Sequence, residues 1–174
     1  MGLKHEIEEW DCKSKQAITT IYQKHCETTD FLSVLIKLLS NEDTERGASW
    51  LLKHHFDCKG TALSDALEAG IWSSLSSLTH WEAKLHVLQI IPHLSIPSIQ
   101  ENAMEGFLMM GINDRKTLVR AWSYFGLALL AKRFPTKHHK IEALLKERAE
   151  TETGGSVRVR IRKAKALMNA AEVA

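Results

Sequence analysis

The side chains of this 174-residue chain with chemistry to offer are nine histidines, three cysteines, five tryptophans and a crowd of basic residues near its C-terminal end. A metal site needs ligands that converge, such as two histidines at i and i+4 beside an acid. His54-His55 and His138-His139 are adjacent, so the members of each pair point to different faces of a helix. His86 and His93 could share a face, but no third ligand lies near them in sequence. Cys12, Cys26 and Cys58 form no close-spaced pair, which fits reduced thiols in partly buried helical positions. A glycine-rich phosphate loop, a G-x-S-x-G elbow, an H-E-x-x-H helix and a C-x-x-C pair are all absent from the sequence. The expectation is therefore no catalytic residue, no metal ligand and no cofactor.

Binding chemistry is better represented. Arg158, Arg160, Arg162, Lys163 and Lys165 crowd one segment, with Arg115, Lys116 and Arg120 about 40 residues before it. On a helix, Arg158, Arg162 and Lys165 share one face, and Arg160 and Lys163 lie on a flanking one. Such guanidinium forks suit carboxylates or phosphates. A solvated terminal helix would carry the same charges simply to stay soluble. Trp122 stands two residues from Arg120, and an indole face beside an arginine can anchor a partner or stack a base. Indoles at helical spacing equally fill space between helices.

The elements that must position these residues read as helices throughout. Composition is that of an ordinary globular protein, with 44% hydrophobic and 25% charged residues, and disorder is excluded on that ground. No run reaches the ~18 apolar residues of a membrane span, and the acidic N-terminus lacks the apolar core of a signal peptide. The expectation is a cytoplasmic protein without membrane contact. Charge is uneven: residues 1–114 carry 9 Lys/Arg against 16 Asp/Glu, and residues 115–174 carry 14 against 5. An acidic front and a basic back would steer an anionic partner to the C-terminal end. Apolar spacing predicts helices near 5–26, 30–40, 43–57, 62–77, 80–93, 97–111, 115–133, 137–151 and 156–172. Thr79 with Glu82, and Ser98 with Glu101, have the spacing of capping boxes. Loops of two to five residues make consecutive helices antiparallel neighbours.

A period runs through the second helix of each hairpin. Gly47 with Leu51, Ala83 with Val87, Ser123 with Leu127, and Lys163 with Leu167 fall in register at steps of 36, 40 and 40 residues. Two helices in about 40 residues is the period of HEAT and armadillo repeats. Asp114, Val119, Arg120, Ser123, Leu127 and Ala131 resemble the HEAT pattern, D-x4-VR-x2-small-x3-L. Val159, Arg160, Ala164, Ala166 and Leu167 resemble a second copy, with Gly154 in place of the aspartate. The two earlier copies lack the Val-Arg pair.

The resemblance implies an all-α, right-handed α-solenoid of about four antiparallel hairpins. It would form one domain, 1–174, with a capping helix at 5–26 and hairpins near 30–57, 62–93, 97–133 and 137–172. It also implies that the second helices line a concave face, and that Asp114 and Arg120 join a polar ladder between repeats. The expected function is a non-enzymatic scaffold binding an acidic protein or peptide through Arg115, Lys116, Arg120, Trp122, Arg158, Arg162 and Lys165. The alternative is nucleic-acid binding or base repair of the HEAT-like glycosylase type, although the catalytic aspartate and tryptophans of those enzymes have no counterpart position here.

Overall fold

The computed structural model describes residues 2–60 and 62–170. The last two residues of the helix expected at 156–172 lie outside that range. Among the described residues the chain forms ten α-helices and no strand. No helix there is long and apolar enough to cross a membrane. The helices gather into two compact units, Met1–Leu94 and Ser95–Ala174, and each of the four expected hairpins falls wholly within one of them.

The first unit holds α1 (Leu3–Glu8), α2 (Lys15–His25), α3 (Phe31–Leu38), α4 (Glu45–Lys59), α5 (Asp65–Ser74) and α6 (Trp81–Ile90), the last two each prolonged by a 3-10 turn. The single helix expected at 5–26 is in fact two, α1 and α2. Asp11 makes the break: its carboxylate accepts the backbone N–H groups of Lys13 (2.9 Å) and Ser14 (2.8 Å). Cys12 between them turns left-handed at φ 56°. Ser14 then caps α2 by accepting from the Ala17 N–H at 3.1 Å. Side-chain acceptors of this type compete with helix continuation, so a D-x-x-S run stops one helix and starts the next.

Within this unit α4 packs on α3 and on α6, and α3 packs on α5. Leu35, Leu51, Leu52, Ile71, Val87 and Ile90 are completely buried between them, and Trp72 is nearly so. Gly47 lies where α1 approaches α4 most closely, because a Cβ there would come within 2.7 Å of Ile7.

The junction of α4 with α6 is polar at one end. Glu45, fully buried at the start of α4, accepts from the Thr79 N–H (2.9 Å), the Thr79 hydroxyl (2.6 Å) and the His80 N–H (2.6 Å). Arg46 donates through Nε to Glu82 at 2.8 Å. The expected Thr79–Glu82 capping box does not form, since both side chains are claimed by α4. His80 takes over, its Nδ1 accepting from the Glu82 N–H at 3.2 Å. The Ser98–Glu101 box is also absent, because Ser98 opens a 3-10 turn and makes no side-chain cap.

The second unit holds α7 (Glu101–Gly111), α8 (Thr117–Arg133), α9 (His138–Thr151) and α10 (Gly155–Asn169). Helix α8 packs on α7 and α9 and, most extensively, on α10, which also packs on α9. Met104, Leu108, Tyr124, Leu127, Leu130, Leu145, Val157 and Ile161 fill the core.

Both members are buried in three of the four residue pairs that the sequence period aligns, but not in the fourth. Gly47, Leu51, Ala83, Val87, Ser123 and Leu127 are all buried. Lys163 is exposed, however, and the small and large residues that enter the core of α10 are Ala164 and Met168. Val159 is correspondingly 43% exposed where Val119 is 1%. The reason is the amphipathic stripe Val157, Ile161, Ala164 and Met168, which can be buried whole, whereas Lys163 would enter the core as an unpaired charge.

Candidate functional site

The expected binding residues separate into three groups on the second unit. Arg115 and Lys116 are exposed on the loop before α8. Asp114 Oδ1 accepts the Lys116 N–H at 2.7 Å, which shapes that loop.

Arg120, in the first turn of α8, is committed inside the fold. It donates through Nε (3.2 Å) and Nη2 (3.0 Å) to the two carboxylate oxygens of Glu152, and through Nη1 to the Asp114 carbonyl (3.1 Å). The guanidinium beside Glu152 holds that carboxyl below the usual range, and the carboxylate raises Arg120 in return. This planar fork ties α8 to the turn that launches α10, so Arg120 has little left for a partner.

Trp122 is half-buried, and the guanidinium of Arg160 lies 3.8 Å above its ring. The same guanidinium is 5.5 Å from Phe125, which meets Trp122 edge-on. Burial lowers the Arg160 pKa from its ordinary value. The basic segment is thus divided by helical geometry. Arg160 turns inward onto α8 as a cation–π lid, while Arg158 and Arg162 turn to the other side of α10.

Arg158 and Arg162 are exposed, and neither has an ion-pair partner among the described residues. Together with Val159, Gly155 of α10 and Ala149 of α9 they line a surface groove of about 540 Å³. Two cations therefore flank an exposed aliphatic side chain. Lys165 is half-buried one turn further on.

A second groove lies on the first unit, at residues the sequence did not single out as a set. Lys15, Trp50, Lys53, His54, Asp57, Leu85, His86 and Gln89 surround about 330 Å³. Trp50, Lys53, His54 and Asp57 share one face of α4 at i, i+3, i+4, i+7 spacing, the one part of this groove that the sequence alone could have signalled. Trp50 stacks on His54 with centroids 4.8 Å apart, and Tyr22 meets His54 edge-on at 4.6 Å. Lys53 pairs with Asp57.

His86 is largely buried, and that burial pushes its pKa down to about 4, so the ring is neutral at physiological pH. Its Nδ1 is 3.1 Å from Ser49 Oγ, whose own proton goes to the Arg46 carbonyl at 3.1 Å. Nδ1 is then the donor and Nε2 the acceptor. His54 and His55 are lowered by burial too. His93, the possible face-mate of His86, stacks on Phe56 instead. Among the described residues no three His, Cys, Asp or Glu side chains are placed to hold a metal ion.

No protein-family model, curated protein or solved structure matches this chain.

Proposed function

We propose that this protein is a HEAT-like α-solenoid that acts as a binding scaffold, without catalysis, for an acidic, partly apolar segment of another protein. The observation that carries the reading is the α9–α10 groove, where exposed Arg158 and Arg162, without an ion-pair partner among the described residues, lie with exposed Val159. An acidic amphipathic segment would offer carboxylates to the guanidiniums and an aliphatic side chain to Val159. The solenoid reading draws support from the neighbour pattern inside each unit. Second helices lie side by side, α4 with α6 and α8 with α10, and first helices α3 and α5 do the same. Stacked hairpins require this arrangement.

Relative to the sequence expectation, the proposed contact set narrows to Arg158 and Arg162. Arg120 is held by Glu152, and one face of Trp122 is covered by Arg160. That covering also weakens the nucleic-acid reading, since the indole meant to stack a base already stacks a guanidinium.

The test is fluorescence anisotropy with a labelled Glu- and Leu-rich helical peptide, and in parallel with single- and double-stranded DNA and RNA, at low and near-physiological salt. The peptide is expected to bind in the micromolar range. The double change Arg158→Glu and Arg162→Glu should weaken it at least about tenfold with unchanged helicity by circular dichroism. Equal affinity in wild type and double variant would sink the assignment. Tight, steeply salt-dependent binding of nucleic acid, lost in the same variant, would replace it with the nucleic-acid function.

A further inference from the structure

The groove on the first unit has a chemistry the scaffold reading does not use. Its walls offer four different recognition elements within about 330 Å³. Trp50 supplies a half-exposed aromatic face, held from behind by its stack on His54 and by Tyr22 against that imidazole. His86 supplies a neutral ring whose Nδ1–H is spent on Ser49 Oγ, leaving Nε2 as an acceptor. Gln89 supplies an amide that makes no hydrogen bond within the protein among the described residues. Lys15, exposed at the first turn of α2, supplies an ammonium without an ion-pair partner there, whereas Lys53 is engaged by Asp57. Leu85 forms the apolar part of the wall.

These elements specify complementary features in an occupant. An aromatic face with a rigid backing selects a planar ring. A neutral acceptor beside a free amide selects a ring whose edge carries both N–H donors and acceptors. One unpaired cation at the rim selects a single anionic group attached to that ring. The volume falls at the lower end of small-ligand pockets, about 300–1,000 Å³, which limits the occupant to one ring system with its tail.

We propose that this groove, between α2, α4 and α6, binds a nucleoside monophosphate. The base stacks on Trp50 with its edge toward His86 and Gln89, and the phosphate lies at Lys15. The site is independent of the peptide groove: it shares no residue with it, and the two proposals stand or fall separately.

The experiment uses the full chain with indole nitrogen-15 labelling of tryptophan, titrated with AMP, GMP, CMP and UMP and, separately, with inorganic phosphate. The Trp50 resonance is assigned from its loss in Trp50→Leu. At least one nucleotide is expected to shift the Trp50 signal saturably with a dissociation constant below about 1 mM, and phosphate alone to be at least about tenfold weaker. By calorimetry, Trp50→Leu should lose about tenfold or more in affinity. Lys15→Glu, a change at an exposed position that leaves the core untouched, should lose about threefold to tenfold. No saturable shift with any of the four nucleotides overturns the proposal. So does unaltered affinity in Lys15→Glu, or phosphate binding as tightly as the nucleotide.

Discussion

The two units use similar helical pairs and stock them with different side chains. Residues 1–94 hold seven of the nine histidines and four of the five tryptophans, with 9 Lys/Arg against 13 Asp/Glu. Residues 95–174 hold two histidines and one tryptophan, with 14 Lys/Arg against 8 Asp/Glu. Both units carry an arginine–glutamate clasp on a second helix: Arg46 reaches Glu82 on α6 in one, and Arg120 reaches Glu152 in the turn between α9 and α10 in the other. The first unit adds a buried carboxylate, Glu45, and a partly buried neutral histidine, His86. The second adds Arg160 over Trp122. Polar groups sunk in a core are costly to disturb, whereas those at its edge are free to meet partners. The first unit should therefore be the more sensitive to changes at its polar junction and to pH. The second should tolerate loss of its surface cations.

The largest effect is expected at Glu45. Glu45→Ala removes the acceptor of three donors at a part-buried junction, and equilibrium denaturation should show a loss of roughly 2–3 kcal/mol. A loss no greater than that of Arg120→Ala would erase the contrast between the junctions.

Acid comes next. The folded-state pKa of His86, about 4, lies below its ordinary 6.5, so the unfolded chain binds more protons between those values. Stability from neutral His86 is complete above about pH 6.5 and is lost as pH falls toward 4, amounting to roughly 3 kcal/mol at full extent. Denaturant midpoints measured from pH 7 to pH 4.5 should fall, and His86→Gln should flatten that slope. His54 and His55 shift in the same direction, so some slope persists in the variant.

The smallest effect is at the cation–π lid. Arg160→Ala should cost about 0.5–1 kcal/mol. It should move the Trp122 indole resonance while leaving the acidic peptide bound as before. Weakened peptide binding in Arg160→Ala would show that both sides of α10 take part.

Helix positions were readable because their causes are local. Apolar spacing located the segments that became α3 to α10 to within a few residues, as at Glu45–Lys59 and Thr117–Arg133. The 11–14 break was in principle readable from Asp11 and Ser14, but the apolar spacing on either side masked it. Spacing put Arg160 on a different face of α10 from Arg158 and Arg162, and of these three only Arg160 meets Trp122. Which face would be occupied was not readable, because the occupant is Trp122, 38 positions earlier. The groove around Trp50 was hidden for the same reason: Leu85, His86 and Gln89 reach it from another helix.

A helix is closed by hydrogen bonds four residues apart, so its extent is written in the order of residues along the chain. The all-helical class and the charge imbalance follow from that local information. Partner choice among polar side chains follows from distance in space. Thr79 can cap its own helix or serve Glu45, Arg120 can face solvent or Glu152, and the energy difference lies in which donors burial would leave unpaired. Only the packed helices decide that, and with it which arginines remain open to bind.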